Sequence, residues 1–464
     1  MKNKSLAALL YTFLVVSLLF LTTQNLLQAQ GKAGEFPDPK IPGFSFPEPE
    51  LNLDNWVFGS VSAEIYRHGW GIWTGITQQV SSNERVFETW QSPKEILAQT
   101  GMLKAQLKGV KHFLLLEKPR QFANLPKLMR TTKSTAVTPD TRIVVTVGYS
   151  PSAAQHTLTN KLLWASTIKK FLKDGYTDMP NFPIQSVTVK PVYKVITKDK
   201  LVKGVYPFTA WPGPPSTPQA FGEPDWNACV YVSLTNQGKG NGKIDYGCTG
   251  PTPETTYNLS DFINHKLTKE EADALKTNPN YPDVQAGDYI ILVAMHVGTR
   301  EMKRWAWQTF WWEANPDKPY EPSLQAIANV RPAQLKGAPR HYAMSVSYQM
   351  LQPAQPLTGG VNKGTPLFAY NPYLEAGFDP TVFQVFHPID TPTGILKTEY
   401  GIQTNCTTCH MLAQFNPSSD YTQPGIRETP YAADFYLDLD DPLFKGMIKL
   451  DFAWSIIGSL DLTK

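Results

Sequence analysis

The run Asp288-Tyr289-Ile290-Ile291-Leu292-Val293-Ala294-Met295-His296-Val297 is apolar at almost every position. An alternating strand buries one face, whereas a continuous apolar strand must be covered on both. A polar turn from Gly298 to Lys303 leads on to Trp305-Ala306-Trp307-Gln308-Thr309-Phe310-Trp311-Trp312, and the two segments predict a hairpin. Such a hairpin needs layers on either side. The 39 Pro and the 18% charged residues would by themselves suggest disorder, but 12 Trp and 42% hydrophobic residues argue for a real core.

Further elements follow from local pattern. Ser92-Pro93-Lys94-Glu95 reads as a helix start, with Ser as N-cap and Pro in the first turn. Thr141 to Gly148 is β-branched and reads as a strand. Leu158, Leu162, Leu163, Ile168 and Leu172 recur at helical spacing over 155–174. Ser186 to Ile196 alternates as a strand, with Pro191 suggesting an edge or a bulge. Ala228 to Leu234 is another strand, and His341 to Tyr348 reads as strand or helix. The fold class expected is α+β: a β-rich body, sandwich-like or an open sheet, with peripheral helices and a mostly helical or irregular C-terminal segment. The regions are 1–30, a signal; 31–180, mixed α/β; 181–355, β-rich; and 356–464, the C-terminal segment.

That last segment holds Cys406-Thr407-Thr408-Cys409-His410. C-x-x-C-H is the attachment signature of c-type haem. Two thiols one helical turn apart can bond to the two vinyl groups of one porphyrin. The adjacent histidine can then ligate the iron from the proximal side. A thioredoxin-like dithiol or half a zinc site shares the C-x-x-C but does not require the His, and a second C-x-x-C is absent. Only 54 residues follow His410, too few for a complete small cytochrome domain, so the haem is expected between this segment and the β-rich body.

The N-terminus agrees with an exported, haem-bearing chain. Lys2 and Lys4 precede an apolar run from Leu6 to about Leu21, and Gln28-Ala29-Gln30-Gly31 offers a cleavage site. These are the three parts of a secretory signal, with an uncleaved anchor as the alternative. Cys229 and Cys248 are then expected as a disulfide in an oxidising compartment. Without Lys2 and Lys4 the balance is 41 basic against 40 acidic residues, which gives no support to nucleic-acid binding.

The sixth iron ligand decides what such a haem does. His296 is the first candidate, because a His inside a fully buried strand must be satisfied by something. Met447 would give a His/Met pair; His387 and His341 follow, and Met411, beside the proximal ligand, cannot reach round the ring. Arg300, Lys303 and Arg304 are candidate partners for haem propionates, against a simply solvated turn. Asp438, Asp440 and Asp441 are expected to face water, with docking of a cationic partner or Ca²⁺ binding as alternatives.

The hairpin Met295 to Phe310, Asn405 to His410, Asp451-Phe452-Ala453-Trp454-Ser455, and the early Gly69-Trp70-Gly71-Ile72-Trp73 and Phe87-Glu88-Thr89-Trp90 resemble a group of large exported bacterial monohaem cytochrome c family proteins. The resemblance implies haem and export and no substrate. The expected function is electron transfer in the periplasm or another exported location. One covalent haem c would be held by Cys406, Cys409 and His410. Its partner would be a redox protein or a small-molecule electron donor or acceptor. The alternative is a haem enzyme, peroxidase-like or oxidising a small molecule, with an open distal site. A gas-sensing module is a third reading.

Overall fold

The computed structural model describes residues 36–82, 84–99, 137–360, 363–378, 380–383, 399–421 and 436–463. The segment expected as an N-terminal signal, and His387, therefore lie outside the described residues. The fold is α+β, with helices and strands distributed over several sheets. Among the described residues no helix is long and apolar enough to cross a membrane.

The predicted hairpin is the centre of the molecule. Tyr289–Thr299 pairs antiparallel with Ala306–Trp312, in register Met295 to Phe310 and Gly298 to Trp307. Its other neighbour is Val187–Ile196, which runs antiparallel to it over its whole length. Tyr342–Ser347 adds to the outside of Ala306–Trp312, so the segment whose pattern left strand or helix open is a strand. Val144–Val145, Gly148–Tyr149 and Asn264–Lys266 complete a seven-stranded sheet.

Pro191 was expected to mark an edge or a bulge, yet its strand is interior. The reason lies in the next strand. Pro191 accepts from the Thr146 amide, so its missing N–H points the same way. There it faces Thr146, in the break between Val144–Val145 and Gly148–Tyr149, so the one bond the proline forgoes falls where the neighbouring strand is already interrupted. The bulge is real but sits on the partner strand, between Leu292 and Ala294.

Alternation along Ala306–Trp312 gives the sheet two different faces. On the first, Phe310 stacks on Trp73 with centroids 4.2 Å apart. Trp73 belongs to the Ser62–Ile76 helix, which lies close enough that a Cβ on Gly69 would meet Met344 Sδ at 2.8 Å. The indoles of Trp70 and Trp73 donate to the carbonyls of Ile327 and Pro339. Trp307, on the second face, packs instead into a cluster with Met411, Phe452 and Trp454. The C-terminal segment thus forms the layer that the second face requires.

Two further expectations are refined. The pattern over 155–174 gives two helices, Pro151–Thr159 and Ala165–Lys173. Lys161 turns left-handed between them. Leu162 and Leu163 are both fully buried there. The break is filled by C-terminal backbone: Asp461 donates to Leu163 and accepts from Ala165. A second sheet is formed by Val205–Thr209, Ala228–Ser233, Asp245–Tyr246 and Thr256–Asn258. Cys229 and Cys248 form the expected disulfide beside it, with Cα atoms 5.2 Å apart.

Candidate haem site

The five-residue motif folds as a short helix, Cys406–Met411. Asn405 caps it, its Oδ1 accepting from Thr408 N at 3.2 Å. The Asn405 amide is wholly buried and donates to Gln349 O and Leu367 O. Ser347, at the end of its strand, donates to Asn405 Oδ1 at 2.7 Å and lies 2.7 Å from Thr407 Oγ1. Thr407 and Thr408, the two residues between the cysteines, are fully buried. These contacts fix the helix to the end of the sheet.

Cys406 and Cys409 are not bonded to each other. The Cys406 thiol donates to Ala369 O at 3.1 Å. Burial pushes both thiols well above the usual range, and the Glu375 carboxylate adds to the shift. Redox-active dithiols go the other way, towards the thiolate.

His410 Nδ1 donates to the Phe452 carbonyl at 2.8 Å. This fixes the tautomer and leaves Nε2 as the free lone pair. Metal-ligating histidines are oriented in this way. Burial, opposed by the hydrogen bond to Phe452 and aided by the nearby His296 and Lys190, pushes the imidazole down to about 3, so the ring is neutral at physiological pH. Trp307 lies against one side of it, centroids 3.8 Å apart.

His410 and Cys409 line a cleft with His296, Glu375, Lys190 and Trp454 among its other walls. Its volume is about 90 Å³. Small-molecule sites are typically about 300–1,000 Å³, so most of a porphyrin joined to these thiols would lie outside the cleft. The donor set fits a c-type haem: two protonated thiols one turn apart, and a neutral imidazole already held by its far nitrogen.

Of the candidate distal ligands, His296 lines this cleft. Its Nε2 is 2.9 Å from Glu375 Oε1. Glu375 is held in turn by the Asn371 amide, and the Asn371 side chain donates to Thr309 Oγ1 and Phe310 O. Met447, by contrast, sits half-buried in the turn after Pro442–Phe444, outside the cleft lining. His341 lies 3.6 Å from Asp261. Met411 is packed near Arg304 and Met350.

The basic turn is not a free cationic patch. Arg300 forms a buried ion pair with Asp451, and Arg304 donates to Leu437 O and Leu357 O; Lys303 is exposed. Asp441 caps a short 3₁₀ turn at Leu443, and Asp438 accepts from the Gly359 amide. Among the described residues no three His, Cys, Asp or Glu side chains form a metal-ligand set.

Glu375, Asn371 and Lys190 escaped the sequence reading. Lys190 carried a usable signal. It is one of two charges, with Lys194, in a strand that alternates and then becomes wholly buried, and it stands opposite His296 in the ladder. Glu375 had none, since it is brought to the cleft by an irregular turn.

No protein-family model, no curated protein and no solved structure matches the chain.

Proposed function

We propose that this chain is an exported c-type cytochrome that carries one covalent haem and transfers single electrons. The observation that carries the reading is the Nδ1 hydrogen bond of His410 to Phe452, made by a neutral imidazole directly after two protonated thiols. Cys406 and Cys409 would hold the group through thioethers and His410 would ligate its iron. A bound haem supplies one-electron chemistry and a coordination position for a small ligand. The chain's own residues orient the imidazole through the Phe452 carbonyl and cover one side of it with Trp307. The disulfide supports an oxidising compartment. The redox partner would be a protein or a small-molecule donor or acceptor.

One observation favours a second reading, a haem enzyme with an open distal site. His296 Nε2 is taken by Glu375, so the ring stands in the cleft as half of an acid–base pair and not as a free ligand.

The test is a denaturing gel stained for haem, then absorption spectra of the purified protein with and without carbon monoxide. Staining that disappears in Cys406→Ala/Cys409→Ala is expected. Low-spin haem indifferent to carbon monoxide supports electron transfer, and high-spin haem that takes it up supports the enzyme. Unstained wild-type protein overturns both.

A further inference from the structure

We propose that the Arg300–Asp451 ion pair is the positioning device of His410, holding the left-handed Asp451-Phe452 turn that aims the Phe452 carbonyl at His410 Nδ1. Its electrochemical consequence rests on the haem reading above; its structural consequence does not.

The turn is unusual in its backbone. Asp451 and Phe452 have φ of 43° and 65°, two consecutive residues with side chains in the region that favours glycine. Such conformations persist only where the surroundings over-determine them, and they gather at functional sites. Here the surroundings are identifiable. Arg300 Nε lies 3.1 and 3.0 Å from the two carboxylate oxygens of Asp451. Arg300 Nη1 donates to Met302 O at 3.0 Å, and its backbone amide donates to Ser186 O. Asp451 Oδ2 also accepts from the Phe182 amide at 2.8 Å. Both side chains are at least nine-tenths buried.

The consequence falls on the next residue. The Ala453 amide, in the same peptide plane as the Phe452 carbonyl, donates to Leu450 O and closes the turn over the held Asp451, and His410 Nδ1 lies 2.8 Å from that carbonyl. Arg300 follows directly on the strand that carries His296 and Gly298. One hairpin therefore sets His296 on its strand and His410 through its turn. Partners of this kind behind a ligating histidine raise its basicity, and their loss typically costs 10–100-fold in metal affinity or activity.

The experiment uses the full chain and the variants Asp451→Asn and Arg300→Lys, with three readouts: ¹⁵N NMR of the His410 ring, the midpoint potential, and thermal unfolding. In the wild type, His410 is expected as the single Nδ1-protonated tautomer. In Asp451→Asn combined with Cys406→Ala/Cys409→Ala, which cannot hold haem covalently, the two tautomers mix. In Asp451→Asn carrying haem, where iron on Nε2 would keep the proton on Nδ1, the potential rises, because a more weakly hydrogen-bonded imidazole donates less electron density to the iron. At fixed applied potential the reduced-to-oxidised ratio should rise up to tenfold, which is about 59 mV for one electron. Arg300→Lys keeps the charge but loses the fork, and should move both readouts in the same direction by less; it decides the matter if Asp451→Asn does not fold. A lowered melting temperature with unchanged ring signals and potential overturns the proposal, because the pair would then be structural only. If the wild type carries no covalent haem, the haem reading falls, and the ring tautomer alone decides whether the pair positions His410.

Discussion

At the scale of single residues, the cleft depends on an absence of bulk. Gly298 faces Trp307 across the ladder, and a Cβ there would lie 2.6 Å from the indole. Only the bare backbone lets Trp307 lie over the strand and present its other side to His410. Two places further back, His296 is held by Glu375 with the side chains 12% and 15% exposed. A largely buried hydrogen bond to a charged group contributes about 1.5–3 kcal/mol, less where water reaches it. A double-mutant cycle with His296→Ala and Glu375→Ala, read by denaturant unfolding, should therefore return a coupling of about 1 kcal/mol. A coupling of zero would remove Glu375 as the group that holds His296.

At the scale of elements, the motif helix is too short to stand alone, since isolated helices below about 12 residues are marginal in water. Cys406–Met411 owes its shape to its N-terminus. Asn405 caps the Thr408 amide, accepts from Ser347 and satisfies two buried carbonyls. Asn405→Ala removes the cap, worth about 1 kcal/mol, and leaves the Leu367 carbonyl without that donor, at about 1–3 kcal/mol for a buried orphan, while Gln349 O keeps the Ser347 hydroxyl. The expected loss is about 2–4 kcal/mol, with a lower yield of protein staining for haem. A loss below about 0.5 kcal/mol would mean that the helix is fixed by the sheet and not by its cap. The pattern in this region revealed the thiols and the His, but not the cap. Asn405 reads as an ordinary polar residue until Ser347 and the 349 and 367 carbonyls arrive from distant parts of the chain.

For the whole molecule, what was legible followed a physical rule. Long stretches whose hydrophobicity decides their burial, such as 289–299 and 306–312, revealed their pairing and their place at the centre. The Ser92 N-cap was legible because it is local. Pro191 was misplaced because its tolerance depends on a break in another strand, and Glu375 was missed because no local pattern announces an irregular turn. Neither signal exists within a sequence window. The same limit applies to electrostatics, and Glu313 shows it. It follows the Trp-rich strand, is 2% exposed, and accepts from the Asn315 amide at a long 3.4 Å. Burial pushes its carboxyl up to about 7, against neighbouring amide and indole groups that pull it down. Its folded value therefore lies above the unfolded one of about 4.3. Between the two, the folded state binds the extra proton, so stability falls as pH rises through this window. A shift of this size corresponds to about 3 kcal/mol, complete below pH 4 and lost by about pH 8. Glu313→Gln cannot ionise, so its unfolding free energy should decline less than that of the wild type between pH 5 and pH 8, by about 2–3 kcal/mol. Parallel declines in the two proteins would mean that Glu313 is already ionised in the fold at pH 5.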